Sequence, residues 1–148
     1  MKCEIQWRSK YTFDGKIRDH AFITDIKVVA GGNDLGPSPK ELLLASICGC
    51  TGMDVVGLLK KGRAQIDVLT IAADAEQTQE HPRVFSKVDI TFNASGQESD
   101  APVLIDAVQK SQNLYCGVSA MIAKSCPIHY KILLNDRLIF EGIADFPS

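Results

Sequence analysis

Gly36-Pro37-Ser38-Pro39-Lys40-Glu41-Leu42-Leu43-Leu44-Ala45-Ser46-Ile47-Cys48-Gly49-Cys50-Thr51-Gly52-Met53-Asp54-Val55-Val56-Gly57-Leu58-Leu59-Lys60-Lys61-Gly62 is the stretch on which the fold turns. Ser38 stands where a helix N-cap belongs, Pro39 occupies the first helical position with its φ already set, and Glu41 falls three residues after the cap, as a capping box requires. Lys60 and Lys61 complement the negative end of the helix dipole, and Gly62 supplies the stop. Between these signals the apolar residues cover the whole circumference, so the helix must be surrounded by protein or by lipid. Asp54, the interior glycines Gly49, Gly52 and Gly57, and the lack of another apolar stretch of spanning length argue against lipid. A small chain covers such a helix poorly by itself, and a symmetric dimer packing two of them through their glycine-thinned faces is expected.

Outward from this helix the pattern is strand-like. Strands are expected over residues 3–9, 11–13 and 20–29, with Asp14-Gly15 as a hairpin turn between the last two. Beyond Gly62 strands are expected over 66–75 and 84–93, turning through Glu80-His81-Pro82. Val88, Ile90 and Phe92 alternate there with Lys87, Asp89 and Thr91, as a one-sided sheet demands. A second helix is expected from Asp100, as cap, to about residue 112, and a short one over 118–124. A final hairpin, 128–134 and 137–143, turns at Asn135-Asp136. Hairpins and helices in this order predict an α+β fold with mainly antiparallel sheets, and 148 residues are enough for one domain spanning 1–148 with its own core.

The composition excludes several classes of function. At 45% hydrophobic, 23% charged and net charge −2, the chain has no basic stripe to attract phosphate, so nucleic acid is not an expected partner. Met1-Lys2-Cys3-Glu4-Ile5-Gln6-Trp7 lacks the apolar core of a secretory signal, and a cytoplasmic, membrane-free location is expected. The cysteines Cys3, Cys48, Cys50, Cys116 and Cys126 form an odd set among apolar neighbours, which predicts reduced thiols in place of a disulfide framework.

Cys48 and Cys50 lie two positions apart on a helix and so point about 200° away from each other, into different environments. Spacing does not say which of them faces a cleft. Cys116, in Leu114-Tyr115-Cys116-Gly117-Val118-Ser119, sits just before a helix, where free backbone N–H groups favour a thiolate. Cys126 and His129 have the spacing of half a zinc site, but no second pair matches it, and neither metal nor cofactor is expected.

Pro39-Lys40-Glu41-Leu42 followed by Cys50-Thr51-Gly52-Met53 resembles the central-helix signature of the OsmC/Ohr family, Pro-x-Glu-Leu and then Cys-x-x-Met. Cys116-Gly117-Val118-Ser119 is similar to that family's second cysteine motif, and His81 to Val88 to a strand of its small uncharacterised branch. The resemblance implies an intertwined homodimer with sheets packed around long central helices. It also implies a thiol-dependent peroxide reductase, acting on organic hydroperoxides and recharged by a dithiol such as lipoamide or another cellular thiol. Cys50 would then become a sulfenic acid and condense with Cys116 to a disulfide. Charged helpers are part of the family pattern, and Glu41 and Arg18 are the candidates here. The alternative is a non-enzymatic redox-sensing or small-molecule-binding dimer of the same fold.

Overall fold

In the computed structural model, which describes residues 1–147, the chain forms β1 (Glu4–Ser9), β2 (Thr12–Ile17), β3 (His20–Thr24), α1 (Pro39–Lys61), β4 (Ile66–Gln77), β5 (Phe85–Gly96), α2 (Ala101–Lys110), α3 (Gly117–Ala123), β6 (Ile128–Leu134) and β7 (Arg137–Ile143). The α+β class expected from the sequence is the one observed. The chain divides into two compact units, Met1–Leu43 and the remainder from Leu44 onward.

The N-terminal unit is an antiparallel sheet in the order β1-β2-β3. Its turns are not where the sequence placed them. Asp14 and Gly15 lie inside β2, paired with Gln6 and Ile5 on one side and with Ile23 and Phe22 on the other. The chain reverses instead beside Lys10 (φ 45°) and Arg18 (φ 55°). Two contacts override the turn signal: Arg8 pairs with Asp14 across the strands, and a Cβ on Gly15 would stand 2.3 Å from Cζ of Phe22. The glycine is there to let a ring lie on the backbone, a use of glycine in strands that local sequence does not distinguish from a turn.

β3 also ends earlier than its apolar pattern suggested, at Thr24. The next residue, Asp25, is 1% exposed and organises the following loop. Its carboxylate accepts from the Thr12 hydroxyl at 2.8 Å and from the backbone N–H groups of Ile26, Asn33 and Leu35 at 2.8, 3.2 and 3.4 Å. Burial pulls the Asp25 carboxyl up, and these hydrogen bonds outweigh it, leaving its pKa below the usual carboxylate value. The Ile26 N–H is thereby committed to the carboxylate, and Val28–Ala30 turn into a short 3-10 helix, with Ala30 N–H donating to the Lys27 carbonyl at 2.9 Å, so the strand does not continue.

In the second unit one face of the sheet β4-β5-β6-β7 carries the core. The β4–β5 and β6–β7 pairs are antiparallel, as their hairpins require. β5 and β6 are parallel, because the helical connection between them returns the chain in the same direction. Val88, Ile90, Phe92 and Ala94 of β5 and Ile128, Tyr130, Ile132 and Leu134 of β6 are buried together with Leu104, Ala107 and Val108 of α2. α1 adds a stripe at four-residue spacing, Ile47, Thr51, Val55 and Leu59. By length and hydropathy alone α1 would suit a bilayer, yet this stripe is packed in protein. Other apolar residues of the helix stay open, Met53 at 79% and Val56 at 39% exposure.

α2 stops two residues before its expected end. Past Lys110 the chain widens into a π-turn, Ser111–Tyr115. Asp100 precedes the helix as expected, but its carboxylate accepts from the Gln65 backbone N–H at 2.6 Å instead of capping.

Candidate active site

Cys50 and Asp54 are one turn apart on α1, and Cys116 is the residue before α3. The π-turn sets Cys116 in place, its N–H donating to the Ser111 carbonyl at 2.9 Å and its own carbonyl accepting from Ala120 N–H at 2.9 Å. Cys50 Sγ, Cys116 Sγ and a carboxylate oxygen of Asp54 all lie within 4.8 Å of one another. Among the described residues this is the one such group of three potential ligands or nucleophiles, and it includes neither Cys126 nor His129. Both sulfurs are free thiols.

The two thiols differ. Cys116 is fully buried, whereas Cys50 is half-buried. Burial, above all, pushes the Cys116 thiol up to about 11. A hydrogen bond from Ser119 N–H to its sulfur, at 3.3 Å, works the other way. A hydrogen bond to Cys50 and the charge of Cys50 raise it further. The helix-start position of Cys116, read from sequence as favouring a thiolate, is thus overruled by desolvation. Burial likewise raises the thiols of Cys48, half-buried on α1, and of buried Cys126. Cys3 is exposed.

Behind the sulfurs lies a polar chain that the sequence did not announce. Gln112 Nε2 donates to Thr51 Oγ1 at 2.9 Å, Thr51 Oγ1 and Ser111 Oγ are 2.7 Å apart, and Ser111 Oγ meets Asp54 Oδ2 at 3.1 Å. A hydroxyl has one proton, so Ser111 donating to the carboxylate obliges Thr51 to donate to Ser111. Every donor in the series then points toward Asp54. Thr51, Ser111 and Gln112 are fully buried, and Thr51 holds a core position on α1 that a four-residue stripe assigns to an apolar side chain. A polar residue on the buried stripe was the one available signal. Asp54, which in the sequence stood out only as a charge on an apolar helix, lies beside both sulfurs.

Glu41 and Arg18 belong to the N-terminal unit. Glu41 closes the capping box, its Oε2 accepting from Ser38 N–H at 2.7 Å. Hydrogen bonds to Ser38 hold its carboxyl below the usual value. Arg18 is exposed in the turn between β2 and β3, with positive φ. A cavity of about 840 Å³ opens over Asp74, Asp89, His129 and Lys131, on the face of the second sheet away from the core, and contains neither cysteine.

Comparison with known proteins adds a consistent set of likenesses. Residues 31–131 match the model of the family described as OsmC-like protein. Protein YhfA of Escherichia coli (strain K12) is 30% identical over 129 residues, covering 86% of this chain and 93% of that protein. The crystal structure of a hypothetical protein from Aquifex aeolicus VF5 is 28% identical and superposes with TM-score 0.74, covering 90% of this chain and 96% of that one. An organic hydroperoxide resistance protein from Elizabethkingia anophelis shares the fold at 16% identity, with TM-score 0.68 and coverage of 90% and 94%.

Proposed function

The chain belongs to the OsmC-like protein family, and from that premise we propose that it is a thiol-dependent peroxide reductase acting on organic hydroperoxides. The observation that carries the reading is the approach of Cys50 and Cys116, whose sulfurs lie within 4.8 Å although they are 66 positions apart in the chain. The hydroperoxide resistance proteins among the structural neighbours support it by analogy.

Cys50 is the attacking thiolate. Its sulfur displaces alkoxide from the terminal oxygen of ROOH: the O–O bond breaks, an S–O bond forms, and the alkoxide leaves as ROH with a proton. Cys116, held as a thiol by burial, stays out of this step. Once Cys50 is a neutral sulfenic acid, the Cys50 charge that raised the Cys116 thiol is gone, and the second sulfur becomes easier to ionise. It attacks the sulfenic sulfur, an S–S bond forms, and water departs. Disulfide formation needs the sulfurs to close to about 2.05 Å, an adjustment that side-chain rotation and the wide π-turn absorb. A dithiol then restores both thiols by exchange.

The reading includes a homodimer in a reducing, cytoplasmic setting, with a second copy covering the exposed residues of α1 such as Met53. Arg18 and Glu41 are retained as the charged helpers the family pattern implies, Glu41 serving first as a cap.

Turnover is the test against the binding-module alternative. With tert-butyl hydroperoxide and dihydrolipoamide in excess, the protein should consume peroxide catalytically, many equivalents per chain. Consumption no faster than dihydrolipoamide alone would remove the enzyme reading.

A further inference from the structure

Two thiols and a carboxylate are an awkward trio for anion chemistry alone, because each negative charge disfavours the next. They are a suitable trio for a cation. We propose that the reduced site binds one divalent transition-metal ion of the zinc class through Cys50 Sγ, Cys116 Sγ and an Asp54 carboxylate oxygen, and that disulfide formation expels it.

The geometry supports this directly. All three donor atoms lie within 4.8 Å of one another. Tetrahedral zinc with Zn–S bonds of about 2.3 Å holds its sulfurs roughly 3.8 Å apart. Closing by at most about 1 Å completes the chelate, far less than a disulfide requires. Cys50 and Asp54 are four residues apart on α1, on the same side of the helix, the relation used by pairs of metal ligands on helices. The supporting groups are in place as well. Ser111 Oγ bonds Asp54 Oδ2 at 3.1 Å and orients the carboxylate, and Ser119 N–H fixes the Cys116 sulfur at 3.3 Å. Such outer contacts orient ligands in known metal sites. Three protein ligands leave a fourth position for water, and the half-buried Cys50 side offers the way in.

The ion takes both sulfurs as thiolates, and the protons they carried as thiols go to solvent. Oxidation reverses it: two electrons from the paired thiolates go to the oxidant, the S–S bond forms, and the ion leaves because two of its three protein ligands are gone. With a hydroperoxide as oxidant, the O–O bond breaks and two solvent protons complete alcohol and water. Binding itself needs only reduced thiols. Expulsion by hydroperoxide rests on the proposed function, so diamide, which forms disulfides without peroxide chemistry, serves as an independent oxidant.

The experiment is a competition for zinc between the fully reduced protein and a chromogenic chelator, read as metal bound per chain. One equivalent should bind, with cadmium giving ultraviolet thiolate-to-metal absorption at the same stoichiometry. Asp54→Asn, which keeps size and shape, should weaken affinity at least tenfold with an unchanged circular dichroism spectrum. Cys48→Ser, outside the cluster, should leave affinity as it is, and diamide should release the ion. Substoichiometric binding, an unaffected Asp54→Asn variant, loss in Cys48→Ser, or retention after diamide each overturns the proposal. If diamide releases the ion and hydroperoxide does not, the metal site stands and the peroxide reading falls.

Discussion

Cys50→Ser should lose dithiol-driven hydroperoxide turnover by roughly 10³-fold or more, equivalent to about 4 kcal/mol of barrier. The reason is chemical: a serine hydroxyl without an activating base is a poor nucleophile toward an O–O bond, and the neighbouring Cys116 sulfur is buried and held as a thiol. Cys116→Ser should behave differently. The first peroxide is still reduced, so one equivalent is consumed in a burst, but the sulfenic acid at Cys50 has no partner and accumulates, open to trapping by a 1,3-dione. Steady turnover then falls while the burst remains. A Cys50→Ser protein that turns over, or a Cys116→Ser protein with no burst, would show that the roles are assigned wrongly. The asymmetry rests on the fully buried Cys116, whose thiol is pushed up to about 11, beside the half-buried Cys50.

Phe92→Ala should destabilise the protein by about 3–5 kcal/mol, read as a lowered urea midpoint at unchanged slope. Phe92 is fully buried at the middle of β5, an interior strand paired with Ile71 on β4 and Ile132 on β6. Its ring fills space between the sheet and the helices, and neighbours held by two ladders cannot collapse into the gap. Leu104 on α2 and Val55 on α1 belong to the same core, so the loss also loosens the elements that carry the cysteines. A cost below about 1 kcal/mol would mean that this core does not hold the fold together.

Much of the architecture could be read from the chain, and the failures have physical causes. Both ends of α1 were legible because capping chemistry is local: Ser38, Pro39 and Glu41 at one end, Lys60, Lys61 and Gly62 at the other. The last hairpin was legible for the same reason, with Asn135 and Asp136 both at positive φ in its turn. Asp14-Gly15 misled because its real determinants, Arg8 and Phe22, lie on neighbouring strands. The early end of β3 was hidden in the side chain of Asp25, which spends its hydrogen bonds on residues up to ten positions ahead.

The site was legible in part. Two cysteine motifs pointed to Cys50 and Cys116, and the structure brings those sulfurs together. Nothing local announced the π-turn that aligns Cys116, or the Gln112-Thr51-Ser111 chain that ends on Asp54, since each link joins residues 57 to 61 positions apart. Asp54 was legible only as a charge on an apolar helix, and its place beside both sulfurs emerged only from the fold. A carboxylate at that place is a burden for two thiolates and an asset for a bound cation.

The most direct test is to treat the reduced protein with one equivalent of an organic hydroperoxide, block the remaining thiols, digest without reductant and identify the linked peptides by mass spectrometry. A single dominant product joining the peptide of Cys50 to that of Cys116, with two thiols lost per peroxide and Cys3, Cys48 and Cys126 still free, is the predicted result. Thiols lost one at a time, or links scattered among the five cysteines, would contradict the account.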